Sequence, residues 1–443
     1  MSAKKTNLRV EQLCAEIHSE RIKETSRLAG CTGSWTRQRK MPLSDMITCT
    51  LAKKGLSTVM EVRGFFEQAE KEELTVSKQD YLQQRQKLNP EVFKVLNRNY
   101  LKRFYADDEV KTWKGYIVIA EDGSRVEIPD SKENQLTYGC HQNKYGKTVA
   151  RAVINTMYDV ENRFILDIDI SKYASGEIAA AKENIAALRE IVGDRKVLML
   201  FDRGYASLEF MNFLEKSGIY YLIRQRTGTF QSELSQMQGM DEWVELAHTN
   251  HRLHHFKQTN PERGTEMAAQ KSTPVRMIRT AFLNDEQGIL ATNLKEVSAI
   301  EIRQLYRKRW KVEQKYHTLK NKMKFESVTG KASIYVKQDF LAQVLVFNIV
   351  QDLITAAELR AVKKSQKKLY KYAIRINENI AIGLFKAQFI KLMMTDDERI
   401  KTILFNRMIG DMEKYIVPVR NLKSTRRKWK PENKYKCNQK PSF

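Results

Sequence analysis

Lys196–Tyr205 reads KVLMLFDRGY: five apolar residues in a row, then Asp202, Arg203 and Gly204. A short apolar run stopped by turn-forming residues is the mark of a strand buried on both faces. Upstream, KGYIVIAEDGS (Lys114–Ser124) has the same form, an apolar run closed by Asp122 and Gly123. Both predict a buried strand that delivers a carboxylate to the sheet edge, where ligands bind in α/β proteins. Between them TVARAVINTMYD (148–159) and RFILDIDIS (163–171) alternate as strands around a Val160-Glu161-Asn162 turn. SGEIAAAKENIAALREIVGD (175–194) is an amphipathic helix closed by Gly193, SLEFMNFLEKSG (207–218) a helix from Ser207 to Gly218, and YYLIRQR (220–226) a further strand. Hairpin strands followed by alternating helices and strands predict an α/β domain.

Working outward, the first ~110 residues carry helix starts and stops only. One helix follows Pro42 and Ser44 and ends by Gly55, another follows Ser57, a third starts at Ser77, and a fourth starts at Asn89-Pro90. Basic residues recur there, including Arg37, Arg39, Lys40, Lys78, Arg85 and Lys87, so Lys78 and Arg85 are candidate DNA contacts. Residues 227–280 are polar, weakly periodic and hold four of the seven histidines, and they are expected to be a β-rich insertion without the Cys or carboxylate partners of a zinc site. VRMIRTAFL and GILATNL resume the strands, and helices are expected across ~333–417, where Ile380, Ile382, Leu384, Phe385, Phe389, Ile390 and Leu392 offer either a sheet cover or a dimer face. The stretch from Pro418 has nine Lys/Arg against one acidic residue, with Trp429 and Tyr435 interleaved, a composition suited to a phosphate backbone. The expected layout is a helical DNA-binding domain (1–112), a catalytic domain (113–355, with the 227–280 insertion) and a helical C-terminal region with a basic tail (356–443).

The 443 residues contain 77 Lys+Arg and 53 Asp+Glu, a net charge of +24, and 42% are hydrophobic. That excess predicts a polyanionic partner, with nucleic acid the commonest. No signal peptide or long uncharged apolar run speaks for a membrane, since FLAQVLVFNIVQDLI (340–354) is broken by Gln and Asn. Five scattered cysteines without CxxC spacing read as reduced cytoplasmic thiols.

Downstream of both carboxylate-ended strands lies QLYRKRWKVEQKYHTLKNKM (Gln304–Met323), with Tyr306, Arg309, Glu313 and Lys320 spaced Y-x2-R-x3-E-x6-K. Without Gly or Pro the segment predicts one helix, and helical periodicity gathers the four residues within an arc of about 60°. An ordinary solvated charged face would share this look. What distinguishes it is the company of Asp122 and Asp202: phosphodiester chemistry by two divalent metals needs carboxylates from different elements converging on one point. Asp167 and Asp169 are rivals, but alternation with Ile and Leu assigns them to the solvent face of a strand.

On these residues the chain resembles the DDE transposases of bacterial insertion-sequence family four, in the YREK group. Tyr306, Arg309, Glu313 and Lys320 match that signature at every position, LFDRGY and IAEDGS resemble the segments around the two catalytic aspartates, and TRQRKMPLSDMI and VSKQDYLQQRQKLNPEVF resemble the N-terminal region. The resemblance implies a ribonuclease-H-like core interrupted by a mainly β insertion. It implies cut-and-paste cleavage and strand transfer at terminal inverted repeats, dependent on two Mg²⁺ ions with Mn²⁺ as substitute. Asp122, Asp202 and Glu313 would hold the metals; Tyr306, Arg309 and Lys320 would contact phosphates near the cut end. Its expected partners are double-stranded DNA, as inverted repeats and target, and a second copy of the chain in the paired-end complex, in the bacterial cytoplasm on the nucleoid. Where relatives carry a tryptophan before the signature helix, this chain has Gln287, Gly288 and Ile289; either Trp243 or Phe282 substitutes, or base flipping is handled differently. A structure-specific endonuclease on the same fold, or a non-catalytic DNA-binding descendant, is the alternative reading.

Overall fold

The computed structural model describes residues 3–37, 39–142, 146–173, 175–226, 228–281, 287–365 and 370–419. The basic tail beyond Val419 and Phe282 lie outside them. Six helices come first: α1 (Ala3–Ile17), α2 (Glu20–Thr25), α3 (Leu43–Ala52), α4 (Thr58–Gln68), α5 (Lys78–Arg85) and α6 (Glu91–Tyr105). Their starts follow the expected chemistry; the Ser77 side chain accepts from Asp80 N and the Asn89 side chain from Glu91 N.

Then come β1 (Tyr116–Glu127), α7 (Lys132–Tyr138), β2 (Cys140–Gln142), β3 (Thr148–Asp159), β4 (Ile165–Lys172), α8 (Glu177–Val192), β5 (Lys196–Phe201), α9 (Leu208–Lys216) and β6 (Tyr220–Arg224). They are followed by α10 (Gln231–Leu234), β7 (Asp241–Ala247), α11 (Asn250–Thr259), α12 (Pro261–Gln270), β8 (Ser272–Ala281) and β9 (Gln287–Thr292). One mixed nine-stranded sheet results, in the order β2-β3-β1-β5-β6-β9-β8-β7 with β4 on β3. β1, β5 and β6 run parallel, whereas β3 and β4 pair antiparallel beside β1. The apolar runs of β1 and β5 fill both faces of this centre, and Ile117 to Ala120 and Val197 to Phe201 are fully buried.

Residues 227–280 depart from the expected β-rich insertion. They hold three helices, α10 to α12, and their strands β7 and β8 extend the main sheet through β9. Two helix starts explain the difference: Thr249 caps α11, and Asn260 with Pro261 opens α12. His248 there is buried and bonded to Met267 O and Thr273 Oγ1, a structural role.

The chain ends in α13 (Ala299–Tyr306), α14 (Trp310–His317), α15 (Ser333–Ser365), β10 (Ile374–Ile376), α16 (Glu378–Met394), α17 (Glu398–Met412) and β11 (Ile416–Pro418). By length and composition α15 alone, among the described residues, is apolar enough to cross a membrane, yet its apolar window is wholly buried in the fold. It carries buried Gln338, Asp339, Gln343, Asn348, Gln351 and Asp352, each bonded across the core, although Gln343 does so only through Oε1. Asp339 takes Lys53 Nζ at 2.8 Å, Thr329 N at 2.6 Å and the Arg85 guanidinium. Asn348 donates to Asn97 Oδ1 at 2.7 Å and Ile165 O at 2.7 Å. Asp352 accepts from Arg9 Nε at 2.8 Å and from the Tyr100 hydroxyl at 2.8 Å. α15 thus ties the N-terminal helices to the sheet. On α16, Ile382, Phe385, Phe389, Ile390 and Leu392 are buried within the chain and cover its own core, while Ile380 and Leu384 are half-buried.

Candidate active site

Asp122 and Asp202 meet through strand register. β1 pairs with β5 from Tyr116↔Lys196 to Ala120↔Leu200; continued two residues, that register sets Asp122 level with Asp202. β1 does not turn at Asp122-Gly123, contrary to expectation, but runs on to Glu127 paired with β3, opposite Thr156 at Asp122. Asp122 therefore stands where β5 has ended and β1 continues, an opening at the middle of the sheet. Asp202 begins a 3₁₀ turn, Arg203–Tyr205, and its Oδ1 accepts from Gly204 N at 2.6 Å.

The third group arrives on a helix that is less regular than expected. α13 passes through a 3₁₀ turn (Arg307–Arg309) into α14 and then a π turn (Thr318–Lys322). It starts at a full capping box on Ser298 and Glu301. Bonds along β1 fasten it: Tyr316 donates its hydroxyl to Asp122 O, and Lys320 Nζ reaches Ser124 Oγ at 3.0 Å and the Arg125 carbonyl. From this helix Arg309 spans two carboxylates, with Nη2 2.7 Å from Glu313 Oε1 and Nη1 3.9 Å from Asp122 Oδ2. Burial pushes the Tyr306 phenol up to about 12, against the Arg309 guanidinium with which it shares a hydrogen bond.

Electrostatics mark the spot as crowded with negative charge. Burial pushes the Asp122 carboxyl up to about 7, with Glu313 and Asp202 adding to the shift and Arg309 opposing it. Glu121, on the opposite face of β1, is fully buried and pushed up to about 8 by burial, although Asn184 donates to one of its oxygens. Burial works against the Arg309 cation, but Tyr306, Glu313 and Asp122 outweigh it and hold its pKa above the usual value. Burial lowers Lys320.

Whether a metal suits these residues follows from the donor set. Asp122, Asp202 and Glu313 supply carboxylate oxygens only, which match a hard divalent cation. Burial is the first cause of the raised proton affinity of Asp122, and Glu313 and Asp202 add to it against Arg309. Among the described residues no three His, Cys, Asp or Glu side chains lie in ligating positions as they stand, and Arg309 spans two of the three proposed ligands.

The other expected contacts divide. Lys78 is exposed at the start of α5. Arg85 is not available to DNA: it is 1% exposed, with Nε 2.9 Å from Gln338 Oε1 and its guanidinium on Asp339. Its arginine looked like the others in sequence because its partners lie about 250 residues away. Asp167 also departs from expectation; it is buried and faces Lys94 and Arg98 of α6, each at 3.6 Å. Trp243 stands exposed on the outermost strand β7, opposite Arg276.

Comparison with known proteins gives the family. A family model described as "Transposase DDE domain" matches residues 113–349, more than half the chain. The chain is 24% identical over 325 residues to "Transposase InsG for insertion sequence element IS4" of Escherichia coli (strain K12), covering 71% of this chain and 70% of that protein. Among solved structures, a piggyBac transposase synaptic complex with hairpin DNA aligns over 94% of this chain and 87% of that one, with a TM-score of 0.45 and 10% identity. With a DDE domain spanning β1 to α15 and carboxylates meeting at its sheet opening, the chain belongs to the DDE transposases.

Proposed function

We propose that this transposase cuts its element at terminal inverted repeats and joins the freed ends to target DNA, by cut-and-paste. The observation that carries the reading is Arg309, which bridges Asp122 of the sheet and Glu313 of the signature helix. In this reading Asp122, Asp202 and Glu313 would hold two Mg²⁺ ions, with Mn²⁺ as substitute, and the ions would supply Lewis acidity for the attacking water or 3′-hydroxyl and for the leaving oxygen. Tyr306 stays protonated at neutral pH and donates a hydrogen bond, while Arg309 and Lys320 grip phosphates beside the cut. The strand order β4-β3-β1-β5-β6, three antiparallel strands followed by two parallel ones, supports a ribonuclease-H-like core within residues 113–355. Residues 1–112 read the DNA end, where Lys78 is exposed and Arg39, Lys40 and Lys87 line a cavity of about 500 Å³. Residues 356–443 are the C-terminal region, whose described part carries α16 and α17; two copies pair on two ends, and the protein works on the nucleoid.

The test is cleavage of a duplex carrying the element's end in Mg²⁺. Asp122→Asn, Asp202→Asn and Glu313→Gln are each expected to abolish cutting while leaving end binding in EDTA unchanged. A Glu313→Gln protein that cuts at the normal rate would refute the assignment.

A further inference from the structure

We propose that a cavity behind the signature helix is a phosphate-binding site, set apart from the carboxylates and from the cut. Glu313 points, through Arg309, toward Asp122 on β1. Lys311 and Lys315 stand two residues to either side of it, a rotation of about 200° on a helix, and so belong to the far face of α14. There they line a cavity of about 450 Å³ together with Lys322 of the π turn, Arg163 of the β3–β4 turn and Arg375 of β10. Five cations from four elements meet two carboxylates, Glu358 and Glu378.

Both carboxylates are fully engaged. Glu358 takes Arg163, with Nη2 2.6 Å from its Oε2 and Nη1 3.3 Å from its Oε1. Each oxygen of Glu378 accepts two bonds: Oε1 from Lys315 and from Gln351 Nε2, both at 3.0 Å, and Oε2 from Lys322 at 2.6 Å and Thr318 at 2.9 Å. Lys311, although half-buried, is left with one neutral acceptor, the Val160 carbonyl at 2.9 Å. Arg375 is exposed and has no hydrogen bond or ion pair among the described residues. Cations gathered in a concave site repel one another until an anion sits between them, and phosphate oxygens match an ammonium and a guanidinium alike. Val417 and Pro418 line the same cavity, and the sequence from Pro418 on carries nine Lys/Arg against one acidic residue, so composition beyond the rim adds to the excess and does not answer it. That continuity favours the phosphates of a DNA backbone, and a free phosphate would use the same donors. The site makes no use of Asp122, Asp202 or Glu313, so its failure and theirs are separate results.

The experiment follows the anisotropy of a labelled duplex carrying the element's end, in EDTA over a salt series, for the full-length chain and for Lys311→Ala, Arg375→Ala and the double variant. Each single variant is expected to flatten the log–log salt slope by about 0.9, and the double variant by about 1.8. Arg375→Lys, which keeps the charge, should keep the wild-type slope. Because Arg375 is exposed and without a partner among the described residues, its variants test the site even where Lys311→Ala does not fold. A second arm takes melting midpoints in sodium phosphate and in sodium chloride at matched ionic strength, where the rise given by phosphate should be smaller in the double variant than in the wild type. A flattened slope assigns the bound phosphate to DNA. A wild-type slope with a diminished phosphate response keeps the site and gives it a free phosphate. A wild-type slope together with a wild-type phosphate response would overturn the proposal.

Discussion

Replacing Arg85 with methionine separates two roles that look identical in sequence. A surface arginine on DNA phosphate costs end binding and little stability when lost; a buried arginine costs the fold. Arg85 is 1% exposed and is bonded to Gln338 and Asp339, with the Tyr81 hydroxyl at 3.5 Å. Methionine fills most of the apolar volume but leaves Gln338 Oε1 without its donor and Asp339 with only Lys53 and Thr329 N. Breaking a buried pair by removing one partner costs 3–5 kcal/mol, and the surviving Lys53 contact puts this case at the low end, about 3 kcal/mol. For a cooperative unit of 150–250 residues that is a fall in melting midpoint of roughly 6–12 °C. Scanning fluorimetry of Arg85→Met beside Lys78→Met measures it, with end binding by anisotropy over a salt series as the counterpart. Lys78→Met should melt normally and bind less tightly with a flatter salt dependence. A normal midpoint for Arg85→Met together with weakened, salt-flattened binding would refute the burial argument and return Arg85 to the DNA surface.

Lys320→Ala should weaken end binding and flatten its log–log salt slope by about 0.9; an unchanged slope would make Lys320 only a strut between the signature helix and β1. Burial would raise Asp339, but Arg85 and Lys53 outweigh it and hold its carboxyl at about 2, against the ordinary 3.8. A carboxyl depressed in this way contributes stability in full above about pH 4 and loses it as pH falls toward 2. Urea midpoints should therefore drop across that window in the wild type and drop less in Asp339→Asn. A chain cut after residue 360 loses α16, whose Phe385, Phe389 and Ile390 are buried; light scattering should find it aggregated, and a monodisperse truncation with a normal midpoint would contradict this packing.

Local chemistry was legible where one short segment holds the whole cause. Ser77 and Ser207 start helices because each side-chain oxygen meets a backbone N–H three residues on, and Gly193 stops one because it sits at φ +62°. The apolar runs ending at Asp122 and Asp202 announced buried strands, and the spacing of Arg309 and Glu313 put them in contact one helical turn apart. What pairing decides was hidden. No local feature tells that β1 continues past Gly123, since its partner β3 supplies the hydrogen bonds there. Nor does one tell that Arg85 and Asp167 find partners, since Asp339 and the α6 cations are distant in the chain. The insertion went astray because low apolar periodicity was read as absence of helix, while the caps at Thr249 and Asn260 were sufficient to start two.

The polar side chains threaded along α15 have a consequence for anyone hoping to retarget this enzyme. An end-recognition module joined by a plain linker could be exchanged for another as a cassette. Here the N-terminal helices contribute Arg9, Lys53, Arg85, Asn97 and Tyr100 to acceptors and donors on α15 that have no route to water. A transplanted module would strand those groups dry and unpaired, each at a cost of about 1–3 kcal/mol. New DNA specificity is therefore more readily sought by changing the exposed side chains of α5 than by swapping helices, and a working chimera would have to carry α15 with it.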